Sequence, residues 1–130
     1  MSDATFEFCL HADSNFHYEL LRSLGATRYL GADIQEQLTL MPRIKPGDFE
    51  DWFKEWSDMA KCVAGSVDLD RLADYSPVTI RNVFLRASHY HFNSDIYLHG
   101  NWNDPRSSDA FEKWTKYYDS ANAHLSIPGQ

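Results

Sequence analysis

The segment from Ser76 to Gly100, SPVTIRNVFLRASHYHFNSDIYLHG, constrains the fold most, because it predicts a long helix that is apolar on two sides. Ser76 can cap this helix, Pro77 suits its first position, and Gly100 can end it. Its main apolar face comprises Ile80, Val83, Phe84, Ala87, His91, Ser94 and Leu98. A second apolar strip comprises Leu85, Phe92 and Ile96. Such a helix must lie between two neighbours, or between its own domain and another body.

The rest of the chain predicts four more helices. Residues 14–25, capped by Ser14 or Asn15, carry an apolar stripe of Phe16, Leu20, Leu21 and Leu24. Residues 31–42 place Ile34, Leu38 and Met41 on one side. Residues 46–65, capped by Asp48, carry the stripe Phe49, Trp52, Phe53, Trp56, Met59, Ala60 and Val63. Residues 103–125, capped by Asp104, carry the stripe Ala110, Phe111, Trp114, Tyr117, Tyr118, Ala121 and Leu125.

The predicted fold class is all-α, with about five helices in one bundle. Residues 1–13 form a short extended arm, in which Thr5 to Leu10 is open between a strand and an irregular segment. Residues 66–75 are open between a loop and a single helical turn. Residues 14–130 form one helical domain, which is long enough to bury one core.

Charge and cysteine content narrow the class of partners. The formal net charge is −7 and no Lys/Arg cluster occurs, which disfavours nucleic acid and anionic membranes. The first residues lack the pattern of a signal peptide, and no apolar run approaches the ~18 residues of a membrane span. The two cysteines, Cys9 and Cys62, have no metal-type spacing, so we expect a cytoplasmic protein. Aromatic residues make up 15% of the chain, so we expect some to line a cavity or an interface.

The histidines of the long helix are the first candidates for chemistry. His89 and His91 are two residues apart, so on a helix they point in different directions and cannot share a metal ion. His91, Asp95 and His99 follow one side of the helix, but no motif supplies a further ligand from elsewhere. We therefore predict no metal site.

His91 lies in the middle of the main apolar face, and two interpretations of it stay open. It is either a buried, hydrogen-bonded core histidine or a polar anchor inside an apolar ligand pocket. We take His91, Tyr90, Ser94 and Tyr97 as the candidate substrate-binding residues. No nucleophile elbow, P-loop or dinucleotide-binding motif occurs, so we predict no catalytic residue and no cofactor.

Four short motifs, in a fixed order, carry a resemblance to a known family. They comprise Gly31, Ala32, Asp33 and Ile34, then Trp52 and Trp56, then Arg86, Ala87, Ser88 and Tyr90, and finally Asp104, Pro105 and Arg106. The chain resembles the N-terminal helical cap of a branch of α/β-hydrolases that includes dihydroxypseudooxynicotine hydrolase, the FrsA-like proteins and fungal polyketide hydrolases. It departs from the pattern at His91, where such caps have a second tyrosine, and at Phe92, where they often have a basic residue.

The resemblance implies that substrate binding and catalysis belong to different domains. In such enzymes the catalytic Ser, Asp and His belong to the α/β domain that follows the cap, and that domain is expected to be absent from this chain. The leading hypothesis is therefore a substrate-binding cap that is not catalytic alone. It would serve a serine hydrolase that cleaves a C–C or ester bond, or transfers an acyl group, in an aromatic or polyketide-like molecule.

Two alternatives stay open. One is a free-standing helical protein that binds an apolar small molecule, or steers a cyclisation or isomerisation with His91. The other is an interaction module that forms homo-oligomers through the strip of Leu85, Phe92 and Ile96.

Overall fold

The computed structural model describes residues 9–98 and 103–124 of the 130-residue chain. The α-helices of these ranges are α1 (Ser14–Gly25), α2 (Ile34–Leu40), α3 (Phe49–Ala64), α4 (Pro77–Asp95) and α5 (Pro105–Ala123). Short 3₁₀ turns cover Ala26–Tyr29, Met41–Arg43 and Leu69–Asp74. The described ranges contain no strand, which confirms the all-α prediction. Most of the predicted extended segment from Thr5 to Leu10 lies outside them.

Local sequence signals set most helix starts. Asp48, Ser76 and Asp104 cap α3, α4 and α5 as predicted, each accepting a backbone N–H bond with its side chain. The predicted cap of α1 was wrong. Asp13, one residue earlier, accepts from the backbone N–H of residues 15 and 16 at 2.9 and 3.2 Å. Its other carboxylate oxygen accepts from the N–H of Gly47 at 2.7 Å, so this cap also holds the start of α1 to the loop before α3.

Helix α4 is the centre of the bundle, with α3 packed on one side and α5 on the other. All seven residues of its predicted main face are buried. The helix ends at Asp95, earlier than the sequence suggested, and the predicted stop at Gly100 lies outside the described residues. The open segment before α4 contains the 3₁₀ turn Leu69–Asp74. No helix within the described ranges combines the length and the apolar character that a membrane crossing requires.

Two tryptophans of α3 form the densest part of the core. Trp52 and Trp56 are fully buried, with ring centroids 5.7 Å apart. Phe16 of α1 lies 4.9 Å from the Trp52 ring, and Tyr90 of α4 lies 5.5 Å from the Trp56 ring. The Trp52 indole N–H donates to the backbone oxygen of Asn93 at 2.8 Å, which satisfies a buried donor and fixes α3 against α4.

The predicted apolar stripes of the outer helices were too wide. Helix α2 buries Gln37 and Leu40, while Ile34 and Leu38 are about half exposed. The buried Gln37 amide oxygen accepts a hydrogen bond from Ser23 of α1, which turns the apolar positions of α2 outward. Phe49, Phe111 and Tyr118 are likewise exposed although the stripes of α3 and α5 include them.

Candidate functional site

An aromatic cleft opens between the first 3₁₀ turn, α4 and α5. Its volume is about 310 Å³. Its lining is predominantly apolar and comprises Ala26, Tyr29, Gly31, Leu85, Ser88, His89, Phe92, Trp114 and Tyr118. Two members of the predicted second strip of α4 therefore form its wall, and Phe92 is 37% exposed. We call this feature the aromatic cleft.

The wall of the aromatic cleft is held by contacts between α4 and α5. The Ser88 hydroxyl donates to the backbone oxygen of Trp114 at 2.6 Å and so fixes the spacing of the two helices. The Trp114 ring meets Phe92 edge to face at 5.7 Å and Phe111 edge to face at 5.3 Å. The Arg22 guanidinium lies 5.8 Å from the centre of the Phe92 ring. The rings of this surface are thus held in a defined geometry, and Phe92, Phe111 and Tyr118 are nevertheless exposed.

His89 is the polar group at the inner end of the aromatic cleft. Its Nε2 lies 3.1 Å from the Ser23 hydroxyl oxygen and 3.3 Å from Nδ2 of Asn93. Burial, with a further contribution from the positive charge of Arg22, lowers the pKa of His89 to about 4. The imidazole is therefore neutral at pH 7.

A buried polar network supports this histidine. Asn93 Nδ2 donates to the Ser23 hydroxyl oxygen at 2.9 Å, and the Ser23 hydroxyl donates to the Gln37 side-chain oxygen. Arg22 Nη2 donates to Asn93 Oδ1 at 3.0 Å. Ser23, Gln37 and Asn93 are fully buried. Such a network fixes side-chain orientations, because each unpaired buried group would cost about 1–3 kcal/mol.

Tyr90, one of the predicted substrate-binding residues, is fully buried beside α2. Its hydroxyl donates to Glu36 Oε1 at 2.7 Å and accepts from the N–H of Asp33 at 2.9 Å. Arg86 Nε donates to the same Glu36 oxygen at 3.0 Å. Burial raises the pKa of the Tyr90 hydroxyl well above its usual value, so the group stays protonated. Two residues of the Arg-Ala-Ser-x-Tyr motif therefore tie α4 to the start of α2.

His91 and Ser94 point toward the interior of the bundle. The His91 ring is parallel to the Tyr117 ring of α5, with centroids 5.7 Å apart, and is 2% exposed. Burial, aided by the positive charges of Lys113 and Lys61, lowers the pKa of His91 to about 4. The Ser94 hydroxyl donates to the backbone oxygen of His91 at 2.6 Å.

Tyr97 belongs to the aromatic core near α1 and α3. Its ring lies 5.0 Å from Phe49, in a stacked arrangement, and 5.1 Å from Trp52, edge to face. Burial raises the pKa of the Tyr97 hydroxyl to about 12. None of the four predicted substrate-binding residues lines the aromatic cleft, and each has a packing or hydrogen-bonding role in the bundle. Their assignment as substrate-binding residues stays a prediction.

His89 is the residue that sequence reasoning passed over, since we considered it only as half of a histidine pair. As predicted from the helix, the two histidines point apart, His89 toward Ser23 and His91 toward Tyr117. The spacing of Leu85, His89 and Asn93, one helical turn apart, was a signal that these side chains share a face. Within the described ranges, no three His, Cys, Asp or Glu side chains are arranged to hold a metal ion. His99, the last member of the histidine row, lies outside those ranges.

Two other clefts are less suited to a specific ligand. One, of about 510 Å³, is lined by a mixed set of side chains that comprises Thr27, Asp33, Ile34, Gln35, Leu38 and Thr39. The other, of about 520 Å³, contains His11 among small and aliphatic residues next to the start of the described chain. Both ring nitrogens of His11 are already engaged, with the Ile44 carbonyl oxygen at 2.6 Å and the Asp13 N–H at 2.9 Å.

Comparison with known proteins points to fungal hydrolases. No family model matches the chain. The hydrolase LUC6 of a Fusarium species is 34% identical over 120 residues, which cover 87% of this chain and 28% of that protein. The 20-hydroxy-prefusarin hydrolase FUS2 of Gibberella moniliformis is 34% identical over 125 residues, covering 90% of this chain and 29% of that protein. The alpha/beta hydrolase gkaG of Penicillium citrinum is 32% identical over 91 residues, covering 70% and 21%. The chain thus spans less than a third of the length of these relatives.

Proposed function

We propose that this chain acts as the substrate-binding helical cap of a fungal hydrolase. Over most of its length the chain is related to part of a group of fungal hydrolases that includes named alpha/beta hydrolases. The catalytic groups would belong to a separate α/β domain. The chain would shape the substrate pocket and exclude water from it. The reaction would be hydrolysis of a C–C or ester bond, or acyl transfer, in an aromatic or polyketide-like small molecule.

The observation that carries this proposal is the aromatic surface around the cleft. It comprises Leu85, Phe92, Phe111, Trp114 and Tyr118, all of them partly or largely exposed. Contiguous apolar surface of this kind usually marks a site that binds a protein or a ligand. On the opposite side of α4, by contrast, the tryptophans of α3 are fully buried in the core.

A chimera tests the proposal directly. The segment of the hydrolase LUC6 that aligns with this chain is replaced by this chain, and hydrolysis of an activated aryl ester is measured. We expect the chimera to be active, and LUC6 without the segment to lose most of its kcat/KM. A chimera carrying Phe92→Glu should be folded and impaired, because a charge would replace an aromatic ring at the interface.

The matched control is Leu38→Ala in the same chimera, since Leu38 of α2 is about half exposed and lies outside the aromatic cleft. This variant should keep the activity of the unmodified chimera. A chimera that is folded, as judged by circular dichroism, yet no more active than LUC6 without the segment would contradict the cap role.

A further inference from the structure

We propose that the aromatic cleft binds a neutral, planar aromatic alcohol, whose hydroxyl donates a hydrogen bond to Nδ1 of His89. The inference deepens the proposed function by naming the ligand chemistry of the same surface, and it rests on that function for the identity of the cleft as a substrate contact. It requires three things of the structure: a fixed tautomer of His89, an accessible Nδ1, and aromatic walls of suitable size.

The tautomer follows from the hydrogen bonds around Ser23. Gln37 Nε2 donates to the backbone oxygen of Asp33 at 3.3 Å, so the Gln37 amide oxygen faces Ser23 and takes the single hydroxyl proton. Having donated that proton, the Ser23 oxygen can only accept from His89 Nε2 at 3.1 Å. Nε2 also lies 3.3 Å from Asn93 Nδ2, which is itself a donor. Because the contact with the Ser23 oxygen is the shorter one, we assign the proton of the neutral imidazole to Nε2, which leaves Nδ1 as an acceptor.

The hydrogen bonds of Asn93 are consistent with the same assignment. Because its Oδ1 accepts from Arg22, its Nδ2 must face Ser23, to which it donates at 2.9 Å. The N–H groups of Asn93 and His89 thus converge on one oxygen. With the proton on Nδ1 instead, the lone pair of Nε2 would face the Ser23 oxygen at 3.1 Å, and Ser23 has already given its proton to Gln37.

Nδ1 of His89 is accessible and unused. No group of residues 9–98 and 103–124 hydrogen-bonds this nitrogen, and it is not among the sealed polar atoms of those ranges that lack a partner. Because His89 lines the aromatic cleft while its Nε2 is directed at Ser23 and Asn93, we infer that Nδ1 is the ring nitrogen available to a ligand there. A neutral acceptor at the end of an apolar site selects a ligand with a donor group and gives no advantage to an anion.

The walls select the rest of the ligand. Tyr29, Phe92, Trp114 and Tyr118 supply aromatic surface, and Leu85 adds an aliphatic contact. The volume of about 310 Å³ is at the lower end of the range for small-molecule sites. A flat ring system can stack on these faces or meet their edges at the usual separations. The geometry therefore fits a small fused-ring alcohol better than a branched aliphatic one.

A pair of probes tests the hydrogen bond. 2-Naphthol carries the donor, and 2-methoxynaphthalene has the same ring system without it. Titrated into the 130-residue chain by calorimetry at pH 7, 2-naphthol should bind about three- to tenfold more tightly, as expected for one neutral hydrogen bond. In His89→Gln, the amide N–H can replace the Nε2 donor to Ser23, whereas the position of Nδ1 is left without an acceptor atom. This variant should bind both probes equally.

Two further variants locate the probes independently of the buried network. Tyr118→Ala removes a ring from the wall of the aromatic cleft and should weaken both probes alike, whereas Leu38→Ala, in the other clefts, should weaken neither. The inference is overturned if neither probe binds the wild type, if the wild type binds them equally, or if Leu38→Ala has the larger effect. The titration uses this chain alone, so its outcome is independent of the chimera. The chimera can be active although the probes do not bind, and the probes can bind although the chimera is inactive.

Discussion

The two sides of α4 differ in how completely they are packed. Toward α3, two fully buried tryptophans, an indole-to-carbonyl hydrogen bond and Tyr90 make a finished core. Toward α5, the buried residues of that helix are the small Ala110 and Ala121, and its large rings are partly or largely exposed. One helix thus takes part in a closed interface with α3 and in a partly open interface with α5.

The contrast shows that aromatic content alone does not indicate a core. Trp52 and Trp56 of α3 are enclosed and contact rings of α1 and α4, whereas Trp114 of α5 contacts Phe92 of α4 and is partly exposed. The free energy gained by burying a ring scales with the apolar area removed from water, so equal residues contribute unequally on the two sides. Three measurements can break or sharpen this comparison.

The largest effect is expected from removing one ring on each side. Trp52→Ala should lower the free energy of unfolding by about 3–5 kcal/mol, because it leaves a cavity and removes a buried hydrogen bond to the Asn93 carbonyl oxygen. Phe111→Ala, at a residue that is 55% exposed, should cost less than about 1 kcal/mol. Urea denaturation of both variants measures the difference. Equal losses would mean that the α5 side is as tightly packed as the α3 side.

An intermediate effect is expected from acid. His89 and His91 have folded-state pKa values of about 4, below the ordinary value of 6.5, because both are buried near positive charges. Between these values the unfolded chain binds more protons than the folded chain, so acidification favours unfolding. Stability should therefore fall as the pH drops from about 6.5 to about 4, by on the order of 1 kcal/mol or more for each histidine.

The variant His91→Phe isolates one of the two contributions. Phenylalanine can keep the stack on Tyr117 and has no proton to gain, so its stability should depend less steeply on pH than that of the wild type. Thermal melts at pH 7, 6 and 5 give both profiles. Parallel profiles would show that His91 does not contribute to the acid sensitivity.

The smallest effect on stability is expected on the open side. Phe92→Glu should change the free energy of unfolding by less than about 1 kcal/mol, since Phe92 is partly exposed and a glutamate there can approach Arg22. The same change should reduce self-association of the isolated chain, because it places a charge in the aromatic surface. Sedimentation velocity over a range of concentrations measures this. A wild type that is monomeric throughout, together with an unfolded Phe92→Glu variant, would reverse our assignment of the two sides.

Sequence by itself determined the local structure. Residues 48, 76 and 104 cap their helices as predicted, and the main apolar face of α4 is buried at all seven positions. These features depend on contacts within a few residues: a side chain that accepts from the N–H groups of the next turn, and a repeat of 3.6 residues. The resemblance to hydrolase caps also came from short motifs, which the comparison with fungal hydrolases supports.

Only the tertiary structure decided which apolar positions are covered. Ile34 and Leu38 face outward because Gln37 is paired with Ser23, and Tyr90 is held by Glu36 and Asp33 rather than exposed in a pocket. The contact that orients the His89 ring is with Ser23, a residue 66 positions away in the chain. Periodicity places a side chain on one face of a helix, but the segment that packs against that face is distant in the sequence. The shape and the hydrogen-bonding groups of that segment decide whether the face becomes apolar core, a polar network or an open cleft.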